Sequence, residues 1–348
     1  MRRFGPQLVV CIVSAGMIAA VLCACITPAS RRGGLHHTPA LPQPATVPSA
    51  IAFDAQRVFM AHAHGDTPVP VAASDGATCY DACWSPEGRR LCFTREPSAG
   101  GAAGLVVAGT AGRERRALTT PAAGRDASPD WSPRGDRVAF IRQAGSSGSG
   151  LATVEVATGK VRMLVRGRDV HSPSWSPDGT RLMYSAGATP EKSWLYVISA
   201  DGGDPRPLHL RGTEPDWCPT DNRLACAWAD DIWNVALDWQ AAPVGRPVKA
   251  VSRAPGFVHG HPSWSPDGNR LAFEARARTE RGWQSRIMTL DTAVGNDALC
   301  IGYGRRPDWS PGPHPTPAAA QSVAGAKSFP RRTRPTPKTP ALSRTAPF

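Results

Sequence analysis

Polar and apolar positions along this chain repeat one short pattern. An apolar run closes on tryptophan, a Ser-Pro-Asp-Gly turn follows, and an arginine opens a second apolar run. The clearest copy is Ser174-Trp175-Ser176-Pro177-Asp178-Gly179-Thr180-Arg181-Leu182-Met183-Tyr184. Related units surround Trp84, Trp131, Trp217, Trp264 and Trp309, so successive tryptophans stand 47, 44, 42, 47 and 45 residues apart. That period fits the four-stranded blade of a propeller.

Each unit has a physical reading. Proline presets φ for a turn, the acidic residue bonds the turn backbone, and glycine supplies the positive φ that closes a hairpin. Arg90, Arg137, Arg181, Arg223 and Arg270 each follow their tryptophan by six residues. Beyond them the seventh and ninth positions are large (Leu91 and Phe93, Leu271 and Phe273) and the eighth is Cys92, Ala139, Met183, Ala225 or Ala272. Side chains alternate across a strand, so both faces of this one are apolar and the sheet is covered on both sides. Third and fourth strands are expected at Ser193–Ser199 and Pro207–Leu210, and again at Leu151–Val156 with Arg162–Val165 and at Arg286–Leu290 with Ala298–Ile301.

The sixth unit stops after Pro311, and its missing half stands at the other end. Ala50-Ile51-Ala52-Phe53 matches Arg270-Leu271-Ala272-Phe273, with third and fourth strands at Arg57–Ala61 and Thr67–Val71. The expected fold is therefore all-β: a six-bladed β-propeller closed by strands from both termini, with no exposed inner edge.

Charge sharpens the domain picture. The net charge is +12, but residues 1–32 carry four arginines and no acid, and residues 313–348 carry six basic residues and no acid. Only +2 remains for the body, so the folded part offers no basic stripe for nucleic acid. Met1-Arg2-Arg3 precedes a 19-residue apolar run from Leu8 to Ile26, the signature of an export signal. Its end, Leu22-Cys23-Ala24-Cys25, resembles the lipobox of bacterial lipoproteins, with Cys25 as the lipidated residue; an uncleaved membrane anchor is the alternative. The chain thus divides into a signal (1–25), a Pro-rich tether (26–49), the propeller (50–313) and a basic, Pro-rich tail (314–348) expected to be disordered.

The Trp-Ser-Pro-Asp-Gly-x-Arg-Leu-Ala-Phe unit, with Leu195-Tyr196-Val197 and Ala200-Asp201-Gly202-Gly203 further on, resembles the WD40-like repeat of TolB-type six-bladed β-propellers. Blade four departs from it, with Thr220-Asp221-Asn222 in the turn. TolB carries an α/β domain before its propeller, and the stretch from Cys25 to Ala50 has no room for one. The resemblance is thus to the propeller alone, and a direct role in the Tol-Pal system is not carried over.

Candidate chemistry is sparse. The repeat tryptophans are read as blade packing, since one site does not need six equivalent copies. No Gly-x-Ser-x-Gly elbow or phosphate-binding loop occurs. The pairs His62/His64 and His259/His261 lack a third metal ligand nearby, and no cofactor is expected. Of the cysteines beyond the signal, Cys83 and Cys92 face one another in the hairpin register; a disulfide is one reading, buried free thiols the reading adopted. The positions three before each tryptophan differ from copy to copy: Asp81, Ser128, Ser172, Glu214, His261 and Arg306. In the resembled propellers they lie at the start of the innermost strand and rim the central channel. With His171 and Arg305 they form a mixed-charge ring suited to an envelope protein or peptide. The expected function is non-catalytic binding or scaffolding by a monomeric, membrane-anchored propeller of the bacterial envelope. A polysaccharide hydrolase or lyase, and an envelope sensor, are the alternatives.

Overall fold

The computed structural model describes residues 50–311, apart from 56, 63–68, 72–75, 111–113, 146–147, 168, 253–255, 281 and 294–297. The export signal, Cys25, the tether, His64 and the basic tail lie outside the described residues. What is described is six four-stranded antiparallel sheets arranged as a six-bladed propeller. The innermost strands, which define blades one to six, are Thr78–Trp84, Arg125–Trp131, Val170–Trp175, Thr213–Trp217, Phe257–Trp264 and Arg305–Trp309.

The turn after each tryptophan forms as its residues dictate. In blade three, Asp178 Oδ1 accepts from the Ser176 hydroxyl at 2.6 Å and from Thr180 N at 2.9 Å, and Gly179 takes φ +66°. Blade five repeats this with Asp267, Asn269 N at 3.1 Å, and Gly268 at φ +69°. Blade four has no glycine there, and Asp221 instead holds Arg223 at 2.8 Å.

The second strand of every blade is covered on both sides, which creates six separate cores rather than one. Each core holds one repeat tryptophan and lies between neighbouring blades: Cys83 and Cys92 of blade one meet Trp131, Val138 and Phe140 of blade two. Likewise Ala139 and Ile141 meet Trp175 and Leu182, and Ala272 and Ile287 meet Trp309, Ile51 and Phe53. A small eighth position explains the fit in four of the five, because an indole fills the space that Cys92 or Ala139 leaves, at interior packing density; in blade three Met183 takes that place against Trp217. Five of the tryptophans also lie beneath the arginine of the preceding blade. Arg90, Arg137, Arg181, Arg223 and Arg270 sit 4.6–5.5 Å from the rings of Trp131, Trp175, Trp217, Trp264 and Trp309.

Blade six is shared by the two ends of the described chain. Arg305–Trp309 pairs antiparallel with Ala50–Asp54, placing Ile51 opposite Trp309 and Ala52 opposite Asp308, and Ser310 N donates to Ala50 O at 2.7 Å. The third and fourth strands of this blade are Val58–His62 and Val69–Pro70. The two faces of the disc follow from the strand order. The Trp-Ser-Pro turns lie on one face; the other, here the mouth face, carries the links between second and third strands and the starts of the innermost strands.

Candidate functional site at the channel mouth

All six innermost strands bulge at the same place. Pairing with the second strand slips between Tyr80 and Cys83, Ala127 and Asp130, His171 and Ser174, Thr213 and Asp216, and Gly260 and Ser263, and in blade six between Ala52 and Asp54 of the second strand. At each bulge stands the residue three before tryptophan: Asp81, Ser128, Ser172, Glu214, His261 and Arg306 all have φ between 47° and 55°. Six non-glycine residues in the left-handed region is a backbone cost repeated around the ring, and it re-aims one side chain per blade. The sequence reading put these residues at the start of the strand; Glu214 and Arg306 are second in theirs, while Asp81, Ser128, Ser172 and His261 lie further in, and the bulge turns all six. In five blades the next residue is proline (Pro129, Pro173, Pro215, Pro262, Pro307), which leaves no N–H to satisfy where the ladder is broken.

These residues line a cavity of about 460 Å³ on the axis. One half of its wall is charged and internally paired. Arg306 meets Asp81 in an ion pair, and Asp81 Oδ2 also accepts from Ser128 N at 2.9 Å. Glu214 Oε2 accepts from His261 N at 2.6 Å, and its Oε1 lies 3.0 Å from His261 Nε2. The other imidazole nitrogen lies 3.2 Å from Glu274, which Ser285 Oγ bonds at 2.7 Å. Gly260 makes this approach feasible, since a Cβ there would stand 2.8 Å from Glu214 Oε2. Burial pushes the His261 pKa down, but the two glutamates outweigh it and hold it at about 9, so the ring is an imidazolium at neutral pH. Arg305 is more exposed and lies 3.6 Å from Asp54, whose carboxyl burial raises to about 6 against the pull of Arg306 and Arg305. The opposite half of the wall, at Ser128, His171 and Ser172, carries hydroxyls and an imidazole and no carboxylate from the ring.

Sequence reasoning missed a second girdle just beneath the first. The residue immediately before each tryptophan alternates around the axis between a thiol or hydroxyl and an aspartate: Cys83, Asp130, Ser174, Asp216, Ser263, Asp308. Asp130, Asp216 and Asp308 each accept from the backbone N–H of the next blade's tryptophan, at Trp175, Trp264 and Trp84, at 2.7–2.8 Å. Ser174 and Ser263 do the same for Trp217 and Trp309, at 3.0 and 3.2 Å. Burial raises Asp130 and Asp308 to about 7, against these hydrogen bonds, and raises Asp216 well above its ordinary value. Superposing the copies one position upstream of tryptophan, instead of three, is the signal that reveals the alternation.

The remaining candidates are placed as follows. Cys83 lies opposite Cys92 and both thiols are free and buried. His259 is buried edge-on against Phe273, and burial lowers its pKa. Among the described residues no three His, Cys, Asp or Glu side chains are arranged to hold a metal ion; in the His261 trio both imidazole nitrogens face carboxylates.

The sequence pattern of the TolB beta propeller domain matches residues 44–231. No curated protein is similar by sequence. Solved structures are similar in fold. TolB from Acinetobacter baumannii superposes with a TM-score of 0.60 at 16% identity over 77% of this chain and 68% of that one. A putative TolB from Agrobacterium tumefaciens gives 0.55 at 17% identity, over 75% of this chain and 92% of that one. Puromycin hydrolase gives 0.50 at 20% identity, over 75% of this chain and 44% of the hydrolase.

Proposed function

Since the chain belongs to the TolB β-propeller family, matched over more than half its length, we propose that it is a non-catalytic binding scaffold of the bacterial envelope that takes a protein segment into the channel mouth. The observation that carries this reading is the division of the wall. The charged residues of the ring are spent on one another and hold blades four, five, six and one together, with Ser128 bonded to Asp81, while the uncharged wall at His171 and Ser172 is left to meet a guest. An open cavity of about 460 Å³ admits an extended loop of a few residues. The export signal and Cys25 support an extracytoplasmic, membrane-anchored position, on sequence alone. Filling that uncharged wall tests the proposal. Ser172→Trp is expected to keep its melting temperature within a few degrees and to lose the partner crosslinked to the wild-type protein in its native membrane. An unchanged set of crosslinked proteins would sink the idea.

Acid–base chemistry on a sugar polymer is the second reading, favoured by three carboxylates of raised pKa along one cavity. Each of the three commits one oxygen to a tryptophan N–H, a uniform use that suits a structural girdle better than an acid and a base in different roles. New reducing ends or unsaturated products from polyuronates, lost in Asp216→Asn, would favour the enzyme.

A further inference from the structure

Blades radiate from the axis, so the gap between two sheets widens outward and the outer strands have to fill it. Blade three does so with Leu208 of its strand Arg206–Arg211, which is buried in the core shared with blade four. The outer strand of blade four, Pro243–Val251, brings only Ala250 and Val251 to the core shared with blade five. The wedge between blades four and five is left open as a cavity of about 450 Å³, within the range of small-molecule pockets. None of its lining residues belongs to the channel mouth, so what it binds is a separate matter from the channel reading.

The register of blade five sorts the cavity wall into polar and apolar levels. His259 pairs with Ala275, and Ala275 with Arg286, so the three lie in one row across the sheet toward the mouth face. Cross-strand neighbours project from the same side of a sheet, and the small Ala275 leaves a notch between His259 and Arg286. The rows beneath are apolar, Phe273 with Met288 and then Leu271 with Leu290. Phe273, Met288 and Leu290 line the cavity together with Val251 of blade four.

Two features of the polar row call for an anionic oxygen. Among the described residues the lining carries two cations, Lys249 and Arg286, and no carboxylate. Lys249 is taken by Asp231 at 2.7 Å, whereas Arg286 lies against the Tyr303 ring, 5.8 Å from its centroid, and has no carboxylate partner among the described residues. His259 is 7% exposed, and its Nδ1 has no hydrogen-bond partner among the described residues. A buried polar atom left so is costly until a partner satisfies it. Burial lowers the His259 pKa, so the ring is neutral at pH 7 and has one N–H to donate.

We propose that this cavity binds a free fatty acid, its carboxylate held between Arg286 and His259 and its chain lying along Met288, Leu290 and Val251. The charge-assisted bond to arginine holds the head, and burial of methylenes holds the chain.

Calorimetric titration of the purified protein with sodium hexanoate, octanoate and decanoate, each below its micelle concentration, tests this. One-to-one binding is expected, tightening about fourfold per methylene. Arg286→Gln should weaken decanoate about tenfold and leave decanol unchanged. Ala275→Leu, which fills the notch, should weaken decanoate by about tenfold or more. Arg286 is half-buried, so its variant reports on the head site even if Ala275→Leu loosens blade five. Decyltrimethylammonium, with the same chain and the opposite charge, should not displace decanoate. No saturable binding of decanoate, equal affinity in Arg286→Gln, or decyltrimethylammonium bound as tightly as decanoate would overturn the proposal.

Discussion

Burial and charge pull in opposite directions on the ionisable groups of the channel, and a different one wins at each. At Asp130 and Asp308 burial wins, and the native pKa of about 7 lies above the ordinary value of 3.8. The native state then holds more protons than the unfolded state between those values, so stability falls as pH climbs from about 4 to about 7. At His261 the glutamates win. A native pKa of about 9 against 6.5 stabilises the fold fully below 6.5, and that stability is lost as pH rises through 9. Asp178, Asp267 and Glu274 are held below their ordinary values, after burial is outweighed by hydrogen bonds or by His261, and their contribution disappears in acid. The signs combine into a stability maximum near pH 5. Melting temperature should drop by about 5 °C between pH 5 and pH 8, and the drop should shrink in Asp308→Asn, which keeps an acceptor for Trp84 N. A flat profile in the wild-type protein would show that these carboxyls ionise without penalty.

At the scale of the blade, the unit of cohesion is a tryptophan inserted against the eighth-position residue of the neighbouring blade's second strand and covered by the arginine of that same blade. Trp217 is buried beneath Arg181 and packs on Met183. Trp217→Ala should cost about 3–5 kcal/mol through the cavity it leaves, and Arg181→Ala about 1 kcal/mol through loss of the cation over the ring. Urea midpoints measured on the two variants and on their combination would check this. The double variant should cost less than the sum, since without the indole the arginine has nothing to cover. Most of this level was legible in the sequence. The alternation of large and small residues at Leu91, Cys92 and Phe93 states that both faces are buried, and the six-residue step from tryptophan to arginine is visible in five copies. That the arginine covers the tryptophan of the next blade, and not its own, depends on how two sheets stack, and no single repeat carries that information. The same holds for the channel wall. Its positions could be found by superposing the copies, but the pairing of Arg306 with Asp81 and of His261 with Glu214 and Glu274 depends on the bulge, a backbone event with no signature in residue type.

For the whole molecule, the ring exists only when the strand Arg305–Trp309 is in place. A chain ending at Gly304 removes that strand and its core contacts with Ile51 and Phe53, and leaves Trp84 N without its Asp308 acceptor. It should lose cooperative unfolding and expose apolar surface to a hydrophobic dye. A synthetic peptide spanning Gly304–Pro311 should restore part of the transition by supplying the missing strand. If the shortened protein melts as sharply as the full chain, the ring does not depend on its closure.

The same shared blade also governs the order of events in the life of the chain. Ile51 waits for Trp309, 258 residues away in sequence, and a contact of that separation is among the slowest to form in any topology. Blades one to five each consist of consecutive strands and can assemble locally as they emerge from the ribosome, yet none can shut the circle. Until the last strand is made, the polypeptide is a string of hairpins with an open seam, a form still easily pulled straight. Closure then acts as a clasp fastened late, once Arg305–Trp309 reaches Ala50–Asp54.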